Sequence, residues 1–228
     1  MEEDNRVVRT LTVLYDTEIS VSEILLFRGA VLKSFDNQAD ILCHNHIDEN
    51  TYRYSYPLIQ YKRLNGKGAI TCVGKGVNLI GQILSEFSGT IKLGTREAVC
   101  KVDQILSSKT LIQVEDTFFT YQLYRWLPLN ARNYGRYQQT EELVEKIKIL
   151  EQVLTGNILS FLKGINIHLW EQVVVRITDI SSQKVITYKD VKLMAFDIEF
   201  KANINLPPYI GVGKNASVGF GVLSVTNK

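Results

Sequence analysis

Between two β-rich runs the chain reads Leu64-Asn65-Gly66-Lys67, and this tetrapeptide constrains the fold more than any other stretch. A tight hairpin turn needs positive φ at its two central positions, and Asn-Gly tolerates that best. The segments PLIQYKR (57–63) and GAITCVG (68–74) are therefore expected to pair as antiparallel strands. A helix signal stands on either side. Upstream, Ser20-Val-Ser-Glu has capping-box spacing. Ile24, Phe27, Val31 and Phe35 follow at helical intervals, which predicts an amphipathic helix over 20–35. Downstream, Val77, Ile80, Leu84 and Phe87 line one face and Gly89 closes it. Strand-like VVRTLTVLYD (7–16) precedes the first helix, and strand-like residues 90–106 follow the second. The order β-α-β-β-α-β is the split βαβ, or ferredoxin-like, unit.

A second α+β unit of similar kind is expected after it. Residues 110–126 read as a strand. Residues 138–155 read as a helix, with Leu143, Ile147, Leu150 and Leu154 on one stripe and Gly156 after it. A short helical piece over 157–164 extends it, and strands are expected at 167–179, 190–201 and 217–226. Pro128 to Tyr134 is the expected crossover. No sequence repeat relates the halves, so the duplication rests on element order alone. The expected domains are 1–108, with the candidate catalytic segment, and 109–228, with a glycine-rich loop. A chain of 228 residues is long enough for two such cores.

Composition removes some classes of function. With 45% hydrophobic and 22% charged residues, the chain reads as an ordinary soluble globular protein. A net charge of +2 gives no whole-protein field toward nucleic acid, so a basic surface must come from uneven distribution. Cys43, Cys72 and Cys100 are odd in number and far apart, which argues against a disulfide framework and fits a reducing cytosol. The N-terminus MEEDNR is unlike a signal peptide, and no apolar run reaches the roughly 18 residues of a membrane span. A cytoplasmic location is expected, with no membrane partner.

Uneven distribution does occur. FFTYQLYRWLPLNARNYGRYQQ (118–139) holds seven aromatics, Arg125, Arg132 and Arg136, and no acid. Aromatic faces stack bases and arginines bind phosphates. The bland alternative puts half of the aromatics in the core and the arginines on a solvated rim. NINLPPYIGVGKNASVGFGVL (203–223) holds Gly211, Gly213, Gly219 and Gly221, with Lys214 between them and no acid after Glu199. Bare N–H groups there could cradle a phosphate backbone. The segment is neither a Walker loop nor a dinucleotide fingerprint, and a glycine-rich hairpin without ligand is the alternative. Lys75, between Gly74 and Gly76, could meet a phosphate at a helix start, although a solvated lysine is the simpler reading.

The segment ILCHNHIDENTYRYSYPLIQYK (41–62) reads as a loop before a strand, and it crowds His44 and His46 with Tyr52, Tyr54, Tyr56 and Tyr61. Imidazoles titrate near neutrality and suit acid–base work. Cys43, His44 and His46 could begin a zinc site, but no second Cys/His pair completes it. The letters HNH at 44–46 do not make an HNH nuclease, in which the three residues are dispersed over a ββα-metal fold. Plain polar loop residues, with tyrosines packed on a sheet, are the third reading. His168, in INIHLW, reads as a structural residue on an alternating segment.

Taken in order, LLFRGAVLKSF, LCHNHIDENTYRYSYPLIQYK and LPPYIGVGKNASVGFGVL resemble the CRISPR repeat-processing endoribonucleases of the repeat-associated RNA-binding superfamily. The resemblance spans nearly the whole chain in element order. It is most specific in the glycine-rich tail, next in the histidine segment, and weak between them. The chain is similar to the subgroup whose catalytic segment holds a His-x-His pair with a tyrosine shortly after. The resemblance implies an α+β fold of two tandem ferredoxin-like (RRM-like) domains with a C-terminal glycine-rich loop. It implies cleavage of precursor CRISPR RNA within repeats, without metal or cofactor. The ribose 2′-OH attacks its adjacent phosphate and leaves 2′,3′-cyclic phosphate and 5′-OH ends. In that scheme His46 is the main acid or base and His44 its partner or supporting donor. Tyr52 and Tyr54 compete for the tyrosine role, and Lys62 holds the phosphate. Arg28, Arg125, Arg132, Arg136, Gly211, Gly213, Lys214, Gly219 and Gly221 would contact RNA. The implied partner is CRISPR repeat RNA, with room for other CRISPR-associated subunits and for a homodimer. The alternative within the superfamily is a noncatalytic CRISPR RNA-binding subunit, which would need no histidine cluster. An unrelated ferredoxin-like binding protein is a third option, and RNA binding separates it from the other two.

Overall fold

The computed structural model describes residues 6–34, 46–48, 51–52, 56–87 and 89–226, by backbone alone at 46–48, 51–52, 82, 85 and 86. It divides into two units, Val8–Lys109 with Ser217–Gly219, and Thr110–Ala216 with Met1–Val7 and Phe220–Lys228.

The first unit runs through β1 (Val7–Glu18), α1 (Ile24–Lys33), the short β2 (His46–Asp48) and β3 (Thr51–Tyr52), then β4 (Ile59–Leu64) and β5 (Lys67–Val73). A 3-10 turn (Gly74–Leu79) leads into α2 (Ile80–Glu86), and β6 (Gly89–Leu93), β7 (Arg96–Cys100) and β8 (Val102–Leu111) follow. The main sheet has the order β4-β5-β1-β8, which is the ferredoxin-like arrangement. Its hairpin closes through Asn65 (φ 49°) and Gly66 (φ 87°), as the Asn-Gly signal predicts. Registration then runs from Leu64↔Lys67 to Ile59↔Cys72.

The helix at 24–33 starts later than the capping box alone implies. Ser20 N–H donates to Glu23 Oε2 at 2.8 Å, which is half of that box, and regular helix begins at Ile24. The stripe Ile24, Phe27 and Val31 is buried as its spacing requires, and Phe35 lies outside the described residues. Phe27, Tyr15 and Phe87 meet edge-on at 5.1–5.9 Å, so β1, α1 and the end of α2 share one aromatic core. The expected strand over 90–106 is instead a hairpin, β6–β7, followed by the start of β8. Gly94 in the left-handed region (φ 67°) reverses the chain there.

The second unit contains β9 (Val114–Trp126), α3 (Ala131–Gln139), α4 (Leu143–Gly164), β10 (Val175–Tyr188), β11 (Val191–Ile204) and β12 (Val222–Val225). Its sheet order, β10-β11-β9-β12, repeats the ferredoxin-like pattern. Where the second helix would stand, between β11 and β12, the chain runs through the glycine-containing segment with one 3-10 turn at Ala216–Val218. Trp126 pairs opposite Phe196 and Tyr121 opposite Phe200, all fully buried, and α4 buries Leu150, Leu154, Ile158 and Phe161. The Tyr121 hydroxyl donates to Ile204 O and accepts from Leu206 N–H, both at 2.9 Å, fastening the chain where β11 ends.

Four local expectations change. The crossover at 128–134 contains a helix start, because the Asn130 side chain accepts from Asn133 N–H and caps α3. Leu143 is 67% exposed, since the first turn of α4 lies clear of its packed face and the buried stripe begins at Ile149. Gly156 lies inside α4 and does not end it. Asn166 (φ 66°) ends the helical region, and residues 167–174 form no strand. His168 is therefore an exposed residue of an irregular segment, with Ile167 buried beside it. Among the described residues no helix is long and apolar enough to cross a membrane.

Candidate catalytic segment and RNA-facing residues

In the first unit, the segment read as a loop contains a short antiparallel ladder. His46 and Tyr52 are cross-strand partners in it, and Asp48 stands opposite Thr51. Partners in such a ladder have Cα atoms about 4.5–5.5 Å apart. Two candidate residues six positions apart are thus brought together by backbone pairing. His44 and Tyr54 lie outside the described residues.

The chain next reaches β4, the edge strand of the main sheet. Ile59, Gln60, Tyr61 and Lys62 are all buried there. Alternation sends Ile59 and Tyr61 to one face, where Tyr61 meets Phe27 with ring centroids 6.4 Å apart, and Gln60 and Lys62 to the other. Lys62 has no exposed surface. Its Nζ donates to Gln60 Oε1 at 2.8 Å. Gln60 Nε2 in turn donates to Tyr56 Oη at 2.7 Å and to Pro57 O at 2.9 Å. Burial pulls the Lys62 ammonium down to about 7. Burial also pushes the neighbouring Cys72 thiol up to about 12, so that thiol is neutral near pH 7 and supplies no counter-charge. Part of the tail lies close to this edge. A Cβ on Gly219 (φ +79°) would stand 2.8 Å from Ile24 Cδ1 and 3.6 Å from Lys62 Cα. Arg28 is half-buried on α1, and Lys75 is exposed on the 3-10 turn.

In the second unit Arg125 is the most constrained of the candidate RNA contacts. It occupies a bulge of β9 opposite Asp197, where the β9–β11 register shifts, and its φ is +53°. Its N–H donates to Asp197 Oδ1 at 2.6 Å, and its carbonyl accepts from Gly221 N–H at 3.2 Å. Its guanidinium lies 4.2 Å from the centre of the Phe220 ring, and Phe220 meets Tyr188 edge-on at 5.1 Å. Burial holds the guanidinium below its usual range, while Asp197 and Tyr188 act in the opposite direction. Arg132 and Arg136 are exposed on α3, and Lys214 is exposed between Gly213 and Asn215.

The glycines of the tail have packing reasons. A Cβ on Gly221 would lie 2.0 Å from Val212 O, and Val212 N–H donates to Gly221 O at 2.7 Å. Side chains at Gly211 and Gly213 would run into Ala216 and Asn157. Sequence reasoning singled out neither Tyr56 nor Gln60 as a functional residue. The readable signal was the i, i+2 spacing of Gln60 and Lys62 on a strand, which puts two polar groups on one face. Among the described residues no three His, Cys, Asp or Glu side chains are grouped to hold a metal ion.

Comparison with known proteins adds a family. The family models of the Cas6b N-terminal and C-terminal domains match residues 6–111 and 113–226. A crystal structure of Cas6b is similar over 96% of this chain and 100% of that one, with a TM-score of 0.84 at 23% identity. A second, named CRISPR RNA processing endoribonuclease Cas6b, covers the same shares with a TM-score of 0.75 at 24% identity. At such identities these two likenesses establish the shared fold. An uncharacterized protein of Methanocaldococcus jannaschii is 36% identical over 96 residues, which is 42% of this chain and 64% of that protein. That match thus spans less than two thirds of the relative.

Proposed function

This chain belongs to the Cas6b family, and from that premise we propose that it is an endoribonuclease that binds CRISPR repeat RNA and cuts it within repeats. The observation that carries the reading is the pairing of His46 with Tyr52, on a segment that leads straight into β4. The ribose 2′-oxygen forms the new bond to phosphorus, and the bond from phosphorus to the 5′-oxygen breaks. A base takes the 2′ proton, an acid returns one to the 5′-oxygen, and donors stabilise the phosphorane between these steps. The ends are a 2′,3′-cyclic phosphate and a 5′-OH. His46 is the main acid or base, with His44 in support. Tyr52 or Tyr54 donates to the reacting oxygens, and no metal takes part. Lys62 belongs to the same machinery, although its burial means that it acts through hydrogen-bonded neighbours.

RNA is held by residues spread over the chain, as the balanced net charge requires. Arg28, Arg125, Arg132, Arg136 and Lys214 bind phosphates, and exposed aromatics such as Phe118, Tyr124 and Tyr134 stack unpaired bases. Of the glycine segment, the half-buried turn at Gly213 beside the exposed Lys214 adds to phosphate binding, whereas Gly211, Gly219 and Gly221 are buried and the Gly221 N–H is taken by the Arg125 carbonyl. The test is cleavage and binding of a cognate repeat RNA, measured separately for wild type and His46→Ala. Loss of cutting with binding retained supports the reading. A wild type that binds but never cuts supports the noncatalytic subunit instead.

A further inference from the structure

We propose that Trp170 and Arg6 form a one-nucleotide subsite on the second unit, in which the indole stacks an unpaired RNA base and the guanidinium takes the adjoining phosphate. The inference rests on the RNA-binding part of the reading above and is independent of the chemistry of cleavage.

The two tryptophans of the chain have opposite surroundings. Trp126 is fully buried, and its indole N–H donates to Asn157 Oδ1 at 2.9 Å. Trp170 is 94% exposed. Tryptophan is highly buried on average, and an indole left in water contributes almost nothing to the core. The backbone that carries it is fastened on both sides. Ile167 and Val173 are buried, and Ile167 N–H donates to Leu162 O at 2.9 Å. Asn203 clamps the far side: its Nδ2 donates to Gln172 O at 3.0 Å, and its Oδ1 accepts from Val174 N–H at 2.7 Å. Between them, Trp170 N–H donates to Glu171 Oε2 at 3.1 Å. The ring is thus presented to solvent from a hydrogen-bonded stretch of irregular chain.

The surroundings of the ring decide what it meets. Its exposed chain neighbours are His168, Glu171 and Gln172, all polar. A protein contact centres on a contiguous apolar patch, which these residues do not supply. A cation is joined to the ring's own backbone instead. Glu171, which accepts from Trp170 N–H, holds its Oε1 3.6 Å from Arg6 Nη1. The Arg6 carbonyl in turn accepts from Ile112 N–H at 2.9 Å, which ties that residue to the same unit. Arg6 offsets the charge of Glu171, and a guanidinium carries more donors than this one contact uses. A flat apolar face with a cation beside it matches a nucleotide, which offers a base face and a phosphate together. Every base has such a face, so the subsite serves unpaired RNA with little regard to sequence.

The experiment titrates the full chain against a single-stranded repeat RNA and follows two signals, the anisotropy of a label on the RNA and tryptophan emission. Trp126 is the one other tryptophan and is buried, so the emission missing from Trp170→Phe reports Trp170. That part of the emission should be quenched as the RNA binds. The same strand annealed to its complement, with its bases already stacked on one another, should leave it unquenched. Trp170→Ala should raise Kd about tenfold with an unchanged salt slope, because a stacked base releases no counterion. Arg6→Gln should instead lower the slope by about one. Should anisotropy rise while Trp170 emission holds and Trp170→Ala leaves Kd unmoved, the subsite is refuted and RNA binding stands without it. The ring would then belong to a protein contact. A wild type that gives no anisotropy change overturns the RNA-binding reading itself, and the subsite falls with it.

Discussion

The guanidinium of Arg125 stands 4.2 Å from the centre of the Phe220 ring, on a residue whose backbone N–H and carbonyl are both engaged, by Asp197 and Gly221. A left-handed arginine in a strand bulge is held there by its surroundings, since the conformation itself is unfavourable. Partly desolvated stacking of this kind is worth about 1–2 kcal/mol. The planar ion is therefore ordered before any RNA arrives.

Arg125→Ala is expected to weaken repeat RNA binding about tenfold or more, and Arg125→Lys should recover little of it. An ammonium neither stacks on Phe220 as a plane nor presents a two-pronged edge to phosphate. Fluorescence anisotropy at several salt concentrations checks this, because removing one phosphate contact lowers the salt slope by about one. Equal binding by the lysine variant would reduce Arg125 to a point charge.

Lys62 makes stability depend on pH with a definite sign. Its folded value, about 7, lies below the ordinary 10.5, so between these pH values the unfolded chain binds the extra proton. Stability contributed at this site therefore rises as pH climbs from about 7 toward 10.5, and is flat below 7. At about 1.4 kcal/mol per unit, the range is several kcal/mol at most. Urea unfolding of wild type and Lys62→Met across pH 6–10 should show a rising difference that favours wild type at the alkaline end. Parallel curves would mean that the ammonium is solvated.

Two glycine-to-alanine changes should have opposite signs. Gly221→Ala puts a Cβ 2.0 Å from Val212 O at a φ of +59°, and is expected to cost about 2 kcal/mol or more. Gly156→Ala, inside α4 with nothing within 4 Å of the added carbon, is expected to stabilise by about 1 kcal/mol. Thermal melts of the two variants decide both.

The β4–β5 turn was legible because Asn65-Gly66 declares a primed turn by composition. The β10–β11 turn has the same left-handed pair, at Lys189 (φ 49°) and Asp190 (φ 62°), yet Lys-Asp carries no such signal. The long hairpin around it holds that turn closed, and the sequence reading saw two separate strands that began and ended elsewhere. Helix α3 was missed for a related reason. Its cap, Asn130, follows Pro128 in a stretch that reads as a crossover, and its own residues bury only Tyr137. At the candidate site, residue types marked the His46 and Tyr52 segment, but their pairing needed the backbone. The burial of Lys62 was hidden because an edge strand is covered by parts of the chain distant in sequence, and Gly219, more than 150 residues on, lies against its backbone.

The proposed cleavage of repeat RNA through the ribose 2′-OH is tested most directly by one measurement. A repeat RNA and its counterpart with a single 2′-deoxy nucleotide at the cleavage site are incubated with the full chain in excess EDTA. The all-ribose strand is expected to be cut to a 2′,3′-cyclic phosphate and a 5′-OH, while the 2′-deoxy strand binds equally well and stays whole. Cutting of the 2′-deoxy strand, or activity that appears only when divalent metal is restored, would contradict it.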